Sequence, residues 1–583
     1  MRRSLDPAVQ EVVRYRLTAI ADEMEHTLLR AAYSSIVKEG LDASAAIFDK
    51  RGRNIAQAAA IPIHLGCMIP AVERIVADYP EEQISPGDVF ILNDPYAGGT
   101  HLPDIAIIMP VFLEDELFAF TVTMSHHQEM GGKTPGSLPT DATEIFQEGL
   151  QIPPMKLVEA GKEITQVFQI LERNVRTPEI VMGDLRAQLA ACTVGANRLK
   201  KLNESTSLES LQNSIDGLIR QADLLTRDRI RAMPDGVYTF TDYMDDDGVD
   251  LGVPITIRAT LQIADDTLDI DFTGSSDQVR GPFNCVPAST IAATYYVLRA
   301  VIGDDVPNNA GCYQAITLTM PPGSIVNPHR PAAVNSRTAT VRRIGDALLG
   351  CFSQVIPDQV PAASCGQLLV MNFAGKHATG KYFVASELGV GGMGGRRGLD
   401  GLDAIETDAT NCMNVPAETL ELEAPIRVVS WSLSPDSGGA GRWRGGVGTS
   451  KTFEINSDEI TANYRGERHS TSPWGSQGGS PAALTSASVL RSSGLREELQ
   501  SKTMLRMGHG DRLTVNLSGG GGYGSPLERD PEAVLWDVQN KRVTQAAAYS
   551  EYGVVIKNDM TIDGQATQQL RTDMYKHIKE SNA

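Results

Sequence analysis

Two apolar runs, residues 105–112 and 117–124, flank the acidic turn Glu114-Asp115-Glu116, and this arrangement constrains the chain more than any other. Apolar runs of this length bounded by a turn read as strands. Strands joined by so short a turn pair antiparallel. With the turn centred on position 115, paired residues have numbers that sum to 230, so Asp104 faces His126. Directly opposed Cβ atoms lie only ~5 Å apart. His101, just ahead of the first strand, folds over the same end. Two imidazoles and a carboxylate converging there make a three-ligand metal site with room for water, as catalytic metal centres require. Asp42, at the start of an earlier hairpin, is a candidate fourth ligand. His127 and Glu129 are candidates for proton transfer or for steadying the ligands, since neighbouring strand residues point to opposite faces. All these side chains are expected at a strand end that solvent reaches. The plainer alternative is that the histidines cap strand ends and bond only to backbone.

The rest of the chain alternates in character without a regular β-α repeat. Asp6-Pro7 reads as an N-cap followed by proline at the first helical position. Apolar residues then recur at helical spacing, which predicts one helix as far as about Lys38, stopped by Gly40. Residues 43–49 and 54–61 flank Lys50-Arg51-Gly52 as a hairpin, and 89–93 is a short strand. Residues 167–202 read as helical with a break at Thr177-Pro178, and 208–233 as another helix. Pro234-Asp235-Gly236 marks a boundary. Strands are expected at 237–243 and 253–272, separated by Asp245-Asp246-Asp247-Gly248, which reads as a solvated turn. Helices are expected at 289–302 and 339–356. The fold class is α+β in a mixed multi-domain chain. Its parts are an N-terminal metal-binding catalytic domain (1–233), a middle α/β region (234–372) and a β-rich, glycine-rich C-terminal region (373–583).

Composition removes several function classes. The net charge of −20 repels phosphate backbones, and no Lys/Arg stripe offsets it locally, so nucleic acid is not an expected partner. The longest apolar runs are far too short to span a bilayer, and the N-terminus lacks the apolar core of a signal peptide. A cytoplasmic chain with no membrane partner is expected. Seven scattered cysteines without a C-x-x-C pair predict buried reduced thiols and neither a disulfide framework nor a zinc ribbon.

The glycine motifs do not make a nucleotide site. Residues 389–394 satisfy G-x-G-x-x-G, but no helix opens within them, as a dinucleotide site requires. Residues 445–451 have P-loop composition in the wrong order, and 519–524 run into Pro526. No nucleotide site is legible in this chain.

Six segments together carry a resemblance: NDPYAGGTHLPD (93–104), SHHQEMGGKTPGS (125–137), IFQEGLQIPP (145–154), ERNVRTPEIVMGDLRAQ (172–188), NPHRPAAVNSRT (327–338) and SGGGGYGSPLERDP (518–531). In this order, over essentially the whole chain, the sequence resembles the hydantoinase B/oxoprolinase family. Members are second subunits, or second halves, of ATP-dependent lactam-ring hydrolases of the hydantoinase, 5-oxoprolinase and caprolactamase type. The resemblance implies a hetero-oligomer in which a hydantoinase A type ATPase partner binds ATP and phosphorylates the amide oxygen of a small cyclic amide. This chain would hold a divalent metal, zinc or manganese, and deliver water to the activated carbon. The family's ligands match His101, Asp104 and His126, with Asp42 beside them, and His127 would move a proton to the departing nitrogen. Glu129-Met130 departs from the Asp-Ile that the family often has there. Asn335 and Arg337 would line the substrate or partner side. Related subunits occur in ketone carboxylases, which gives an ATP-dependent ketone carboxylase subunit as the alternative. A scaffold that only holds the ATPase is the non-enzymatic rival.

Overall fold

The structure, a computed structural model, describes residues 7–377 and 379–581. Strands β1 (Ala43–Asp49), β2 (Asn54–Gln57), β3 (Val89–Leu92), β4 (Asp104–Leu113), β5 (Glu116–His126), β6 (Met155–Glu159) and β7 (Lys162–Glu163) form one antiparallel sheet. Their spatial order is β2-β1-β5-β4-β3-β6-β7. In the β4–β5 hairpin Asp104 pairs with His126, and the sum of 230 holds as far as Val111 and Ala119. A bulge after Val111 then shifts the last two pairs by one residue. Glu114 and Asp115 both adopt left-handed backbone, φ 51° and 67°, giving the tight turn whose twist suits the flanking strands.

Helices cover both faces of this sheet. They are α1 (Pro7–Ala31), α2 (Ser35–Lys38), α3 (Pro62–Asp78), α4 (Thr165–Asn174), α5 (Pro178–Ser205) and α6 (Leu208–Arg231). The expected single N-terminal helix is two. Asp184 Oδ1 accepts hydrogen bonds from the amides of Tyr33 (2.6 Å) and Ser34 (3.1 Å), which ends α1, and Ser34 then caps α2. Asp6, the expected N-cap of α1, lies outside the described residues. The expected strand 54–61 stops at Gln57, and Pro62 opens α3, which sequence patterning did not reveal.

Alternation decides what each strand residue meets. Ile105 and Ile107 share a core with Leu185 and Cys192 of α5, and the Thr121 hydroxyl donates to the Cys192 carbonyl. Ala106, Ile108, Val122 and Met124 belong to the opposite core, with Cys67 and Met68 of α3. That larger core runs from Val13 to Cys412 and crosses the 233/234 boundary. Each fully buried Leu, Ile or Phe in it contributes about 1.5–3 kcal/mol.

Beyond α6, β8 (Gly236–Met244), β9 (Ile255–Ala264), β10 (Thr267–Asp271) and β11 (Ile316–Thr319) make a second sheet, ordered β11-β10-β9-β8. Helix α8 (Arg337–Val355) packs on it, and α7 (Pro287–Ile302) packs between α8 and α3. Gly66 of α3 lies so close to α7 that a Cβ there would come within 2.6 Å of Ala292 Cα. The acidic run 245–247 is buried and is not a solvated turn. Asp245 accepts from the amides of His469 (2.7 Å) and Ser470 (3.0 Å), and Asp247 from that of Gly281 (2.8 Å). Protein donors satisfy these carboxylates.

Two sheets of four and five strands, with one short helix at Ala417–Glu423, organise the region from Leu369 to Asn516, and further helices follow at Pro531–Gln539, Gln545–Ser550 and Gly564–Ser581. The glycine motifs lie against one another's backbone. The amide of Gly395 donates to Gly521 O (2.8 Å), that of Gly439 to Gly520 O (2.8 Å) and that of Gly520 to Gly446 O (2.9 Å). A Cβ on Gly445 would come within 1.8 Å of Gly520 O, so these glycines serve packing. All seven cysteines are buried and free. Among the described residues, no helix is long and apolar enough to cross a membrane.

Candidate metal centre

The hairpin end brings together the three side chains that its register selects. His101, Asp104 and His126 are buried, and one donor atom from each lies within 4.8 Å of the others. His101 Nε2 is 2.9 Å from Asp104 Oδ1 and 3.2 Å from His126 Nδ1, which is itself 3.1 Å from Asp104 Oδ1. Burial of the cluster, with His101 only 3% exposed, contradicts the expectation of a solvent-reached end. Leu138, Asn335, Leu368, Val370 and Arg465 wall the pocket around it.

The tautomer of His101 follows from its surroundings. Its Nδ1 lies 3.0 Å from the Asn335 carbonyl oxygen, which can only accept, so Nδ1 carries the proton. The Nε2 lone pair therefore faces the Asp104 carboxylate and the His126 ring. Burial first, and then Arg337, push His101 down to about 3, which keeps the imidazole neutral. Burial opposes ionisation of Asp104, but the permanent positive charge of Arg337 beside it holds that carboxyl well below the usual range. Acceptors packed this closely repel one another unless a cation lies between them. An ion bound at ~2.1 Å separates its ligand atoms by about 3.0–3.4 Å. The observed 2.9–3.2 Å spacings and the His, Asp, His donor set fit a divalent ion.

Further groups hold these donors in place. Glu148 accepts from the amides of Val334 (3.0 Å) and Asn335 (2.8 Å), which fixes the carbonyl that orients His101. Arg337 donates to Asp104 Oδ2 (2.5 Å), and the Thr100 hydroxyl bonds the same oxygen. Asn335 and Arg337 thus both border the cluster. His64, in the first turn of α3, lies with Nε2 3.5 Å from both Asp42 Oδ1 and Asp104 Oδ2. It brings Asp42 to the cluster's edge. Sequence reasoning missed His64. Its one signal was a histidine inside an otherwise apolar stretch, residues 61–65.

His127 and Glu129 stand outside the cluster. Strand alternation turns His127 towards α5, where its Nε2 meets Gln188 Oε1 at 3.0 Å, and burial pushes its imidazole down. Gln188 in turn donates to Ile105 O (2.8 Å). Glu129 clamps the following loop: it pairs with Arg176 (3.0 Å) and accepts from the amides of Gly131 and Gly136.

Comparison with known proteins agrees with this architecture. The family model described as Hydantoinase B/oxoprolinase matches residues 6–526. The B component of a putative D-/L-hydantoinase from a Pseudomonas species is 34% identical over 587 residues, 98% of each chain. The crystal structure of the ATP-dependent caprolactamase from Pseudomonas jessenii superposes with TM-score 0.91 at 31% identity, over 98% of this chain and 100% of that one. A nucleotide-free acetone carboxylase shares the fold, with TM-score 0.92 at 22% identity over 99% of this chain and 84% of that one.

Proposed function

The chain belongs to the hydantoinase B/oxoprolinase family, and from that premise we propose that it is the metal-holding subunit of an ATP-dependent cyclic-amide hydrolase. The observation that carries this reading is the convergence of His101, Asp104 and His126 donor atoms within 4.8 Å in a buried pocket. When bound there, a divalent ion supplies Lewis acidity and makes a nearby water more acidic. The chain's own residues do the rest. Asn335 fixes the His101 tautomer, so that Nε2 presents a lone pair to the pocket. Asp104 brings negative charge, and Arg337 holds it ionised and immobile. The loop carrying Asn335 excludes bulk water from the cluster.

A separate ATPase subunit fits the same reading, because the glycine motifs are consumed by packing and leave no phosphate cradle. A lactam carbonyl is a poor electrophile, and phosphorylation of its oxygen by the partner corrects this. Water delivered at the hairpin end would add to the activated carbon, and the C–N bond would break as the nitrogen takes up a proton. A second water would cleave the resulting acyl phosphate to carboxylate and phosphate. The test is reconstitution. The isolated chain should neither hydrolyse ATP nor open hydantoin, oxoproline or caprolactam, and adding a hydantoinase A type partner should restore both activities. Stoichiometric ATP binding by the isolated chain would overturn the division of labour. Bicarbonate-dependent ATP turnover without ring opening would favour the carboxylase alternative.

A further inference from the structure

We infer that Arg337 and Arg465 form an anion site beside the metal ligands that holds the phosphoryl group of an O-phosphorylated cyclic amide; this rests on the function proposed above. The two arginines line the same pocket as the imidazoles and as Asp42 and Asp104. Arg337 is 3% exposed; its Nη2 bonds Asp104 and the Thr100 hydroxyl, and its Nη1 the Thr338 hydroxyl. Arg465 is partly buried and bonds only neutral oxygens, Asn335 Oδ1 (3.4 Å) and Ser336 Oγ (3.0 Å). Among the described residues it makes no ion pair. The Nε atoms of both guanidiniums are shielded from solvent and lack a hydrogen-bond partner. Arg465 engages only Nη1 and so keeps a planar fork with free donors, the shape that grips two phosphoryl oxygens at once, while Arg337 adds its charge and an unpaired Nε.

The charge balance points the same way. Two guanidiniums offset the two carboxylates of the pocket. The nearest further acid, Glu148, is engaged by two backbone amides and pushed up to about 8 by burial, so it adds little negative charge at neutral pH. Burial and then Arg337 push Arg465 down to about 10, which still leaves it protonated. A divalent ion on His101, Asp104 and His126 would leave the pocket with about two positive charges in excess, a costly state when buried. A phosphoryl group carries about −1.5 to −2 at neutral pH and cancels that excess. An unactivated amide is neutral and offers the guanidiniums one carbonyl acceptor but no charge to balance. The site would therefore select the phosphorylated substrate over its precursor.

The probe is inorganic phosphate, titrated calorimetrically into the full-length chain loaded with manganese. Wild type should bind it, and Arg465→Gln should bind it roughly 10- to 100-fold more weakly while keeping its metal. Arg465→Lys, which retains charge without the fork, should fall between the two. If Arg465→Gln misfolds, the lysine variant and the wild-type titration still decide. Equal phosphate affinity in wild type and a metal-retaining Arg465 variant would overturn the inference, as would no binding by metal-loaded wild type. In the reconstituted complex, Arg465→Gln should lower ring opening per ATP hydrolysed. Weaker phosphate binding with an unchanged ratio would make this a product-phosphate site and overturn the substrate assignment. These failures leave metal content and wild-type ring opening intact, whereas failure of the proposed function removes one or both.

Discussion

Asp104→Asn should destabilise the metal-free protein and abolish its metal site, and the structure sets the size of the first effect. Asp104 is 1% exposed and is the carboxylate partner of the buried Arg337. Removing one member of a buried pair strands the other and costs about 3–5 kcal/mol. Asparagine keeps one acceptor oxygen for Arg337 and Thr100, which places the cost near ~3 kcal/mol. For a cooperative unit this large, that loss lowers the apparent melting temperature by about 3–8 °C. The assay is thermal melting in EDTA at neutral pH, followed by intrinsic fluorescence. Asp104→Asn/Arg337→Met should recover most of the loss, because neither charge is then left alone. The pH dependence supplies a second check. The folded carboxyl lies below its unfolded value, so its contribution is complete above roughly pH 4 and disappears only as pH falls through the folded value. Wild type and Asp104→Asn should therefore converge in strongly acidic buffer. An unchanged or raised melting temperature for Asp104→Asn at neutral pH would refute the pairing.

Glu148→Ala should weaken metal affinity by about 10-fold, read by competition with a chelator, because Asn335 and therefore His101 lose their anchor, whereas Glu148→Gln keeps an acceptor for both amides and should hold the metal. Wild-type stability should also decline between about pH 4.5 and 8 from this residue. Its folded value lies above its unfolded one, so stability is greatest below the unfolded value and is lost as pH rises; the glutamine variant should show a flatter profile. Gly445→Ala forces a Cβ to within 1.8 Å of Gly520 O and should lower soluble yield and melting temperature, with the metal site unchanged in whatever folds. His127→Ala should retain full metal content, since its ring faces Gln188 and not the cluster.

The hairpin was legible because two strands and a short turn leave the register almost no freedom, and period-two alternation then fixes which side chains meet. The same rule turned His127 away from the cluster, although the sequence placed it next to His126. What sequence reading missed depends on partners far along the chain. The break between α1 and α2 comes from Asp184, about 150 residues away. The run 245–247 reads as solvated until residues 469 and 470 cover it. His64 joins the site because α3 packs over the sheet end, a contact that no local pattern encodes. Burial of the cluster likewise draws on Asn335, Leu368, Val370, Cys412 and Arg465, all more than 200 positions downstream of the ligands. The glycine motifs excluded a nucleotide site by their order, but only the structure shows them packed backbone to backbone.

The most direct test of the account is the metal content of the isolated chain after loading with manganese or zinc and desalting, measured by plasma mass spectrometry. Wild type should retain about one ion per chain, while His101→Ala and His126→Ala should each lose most of it. Full metal content in both variants, or none in wild type, would contradict a metal centre at the hairpin end.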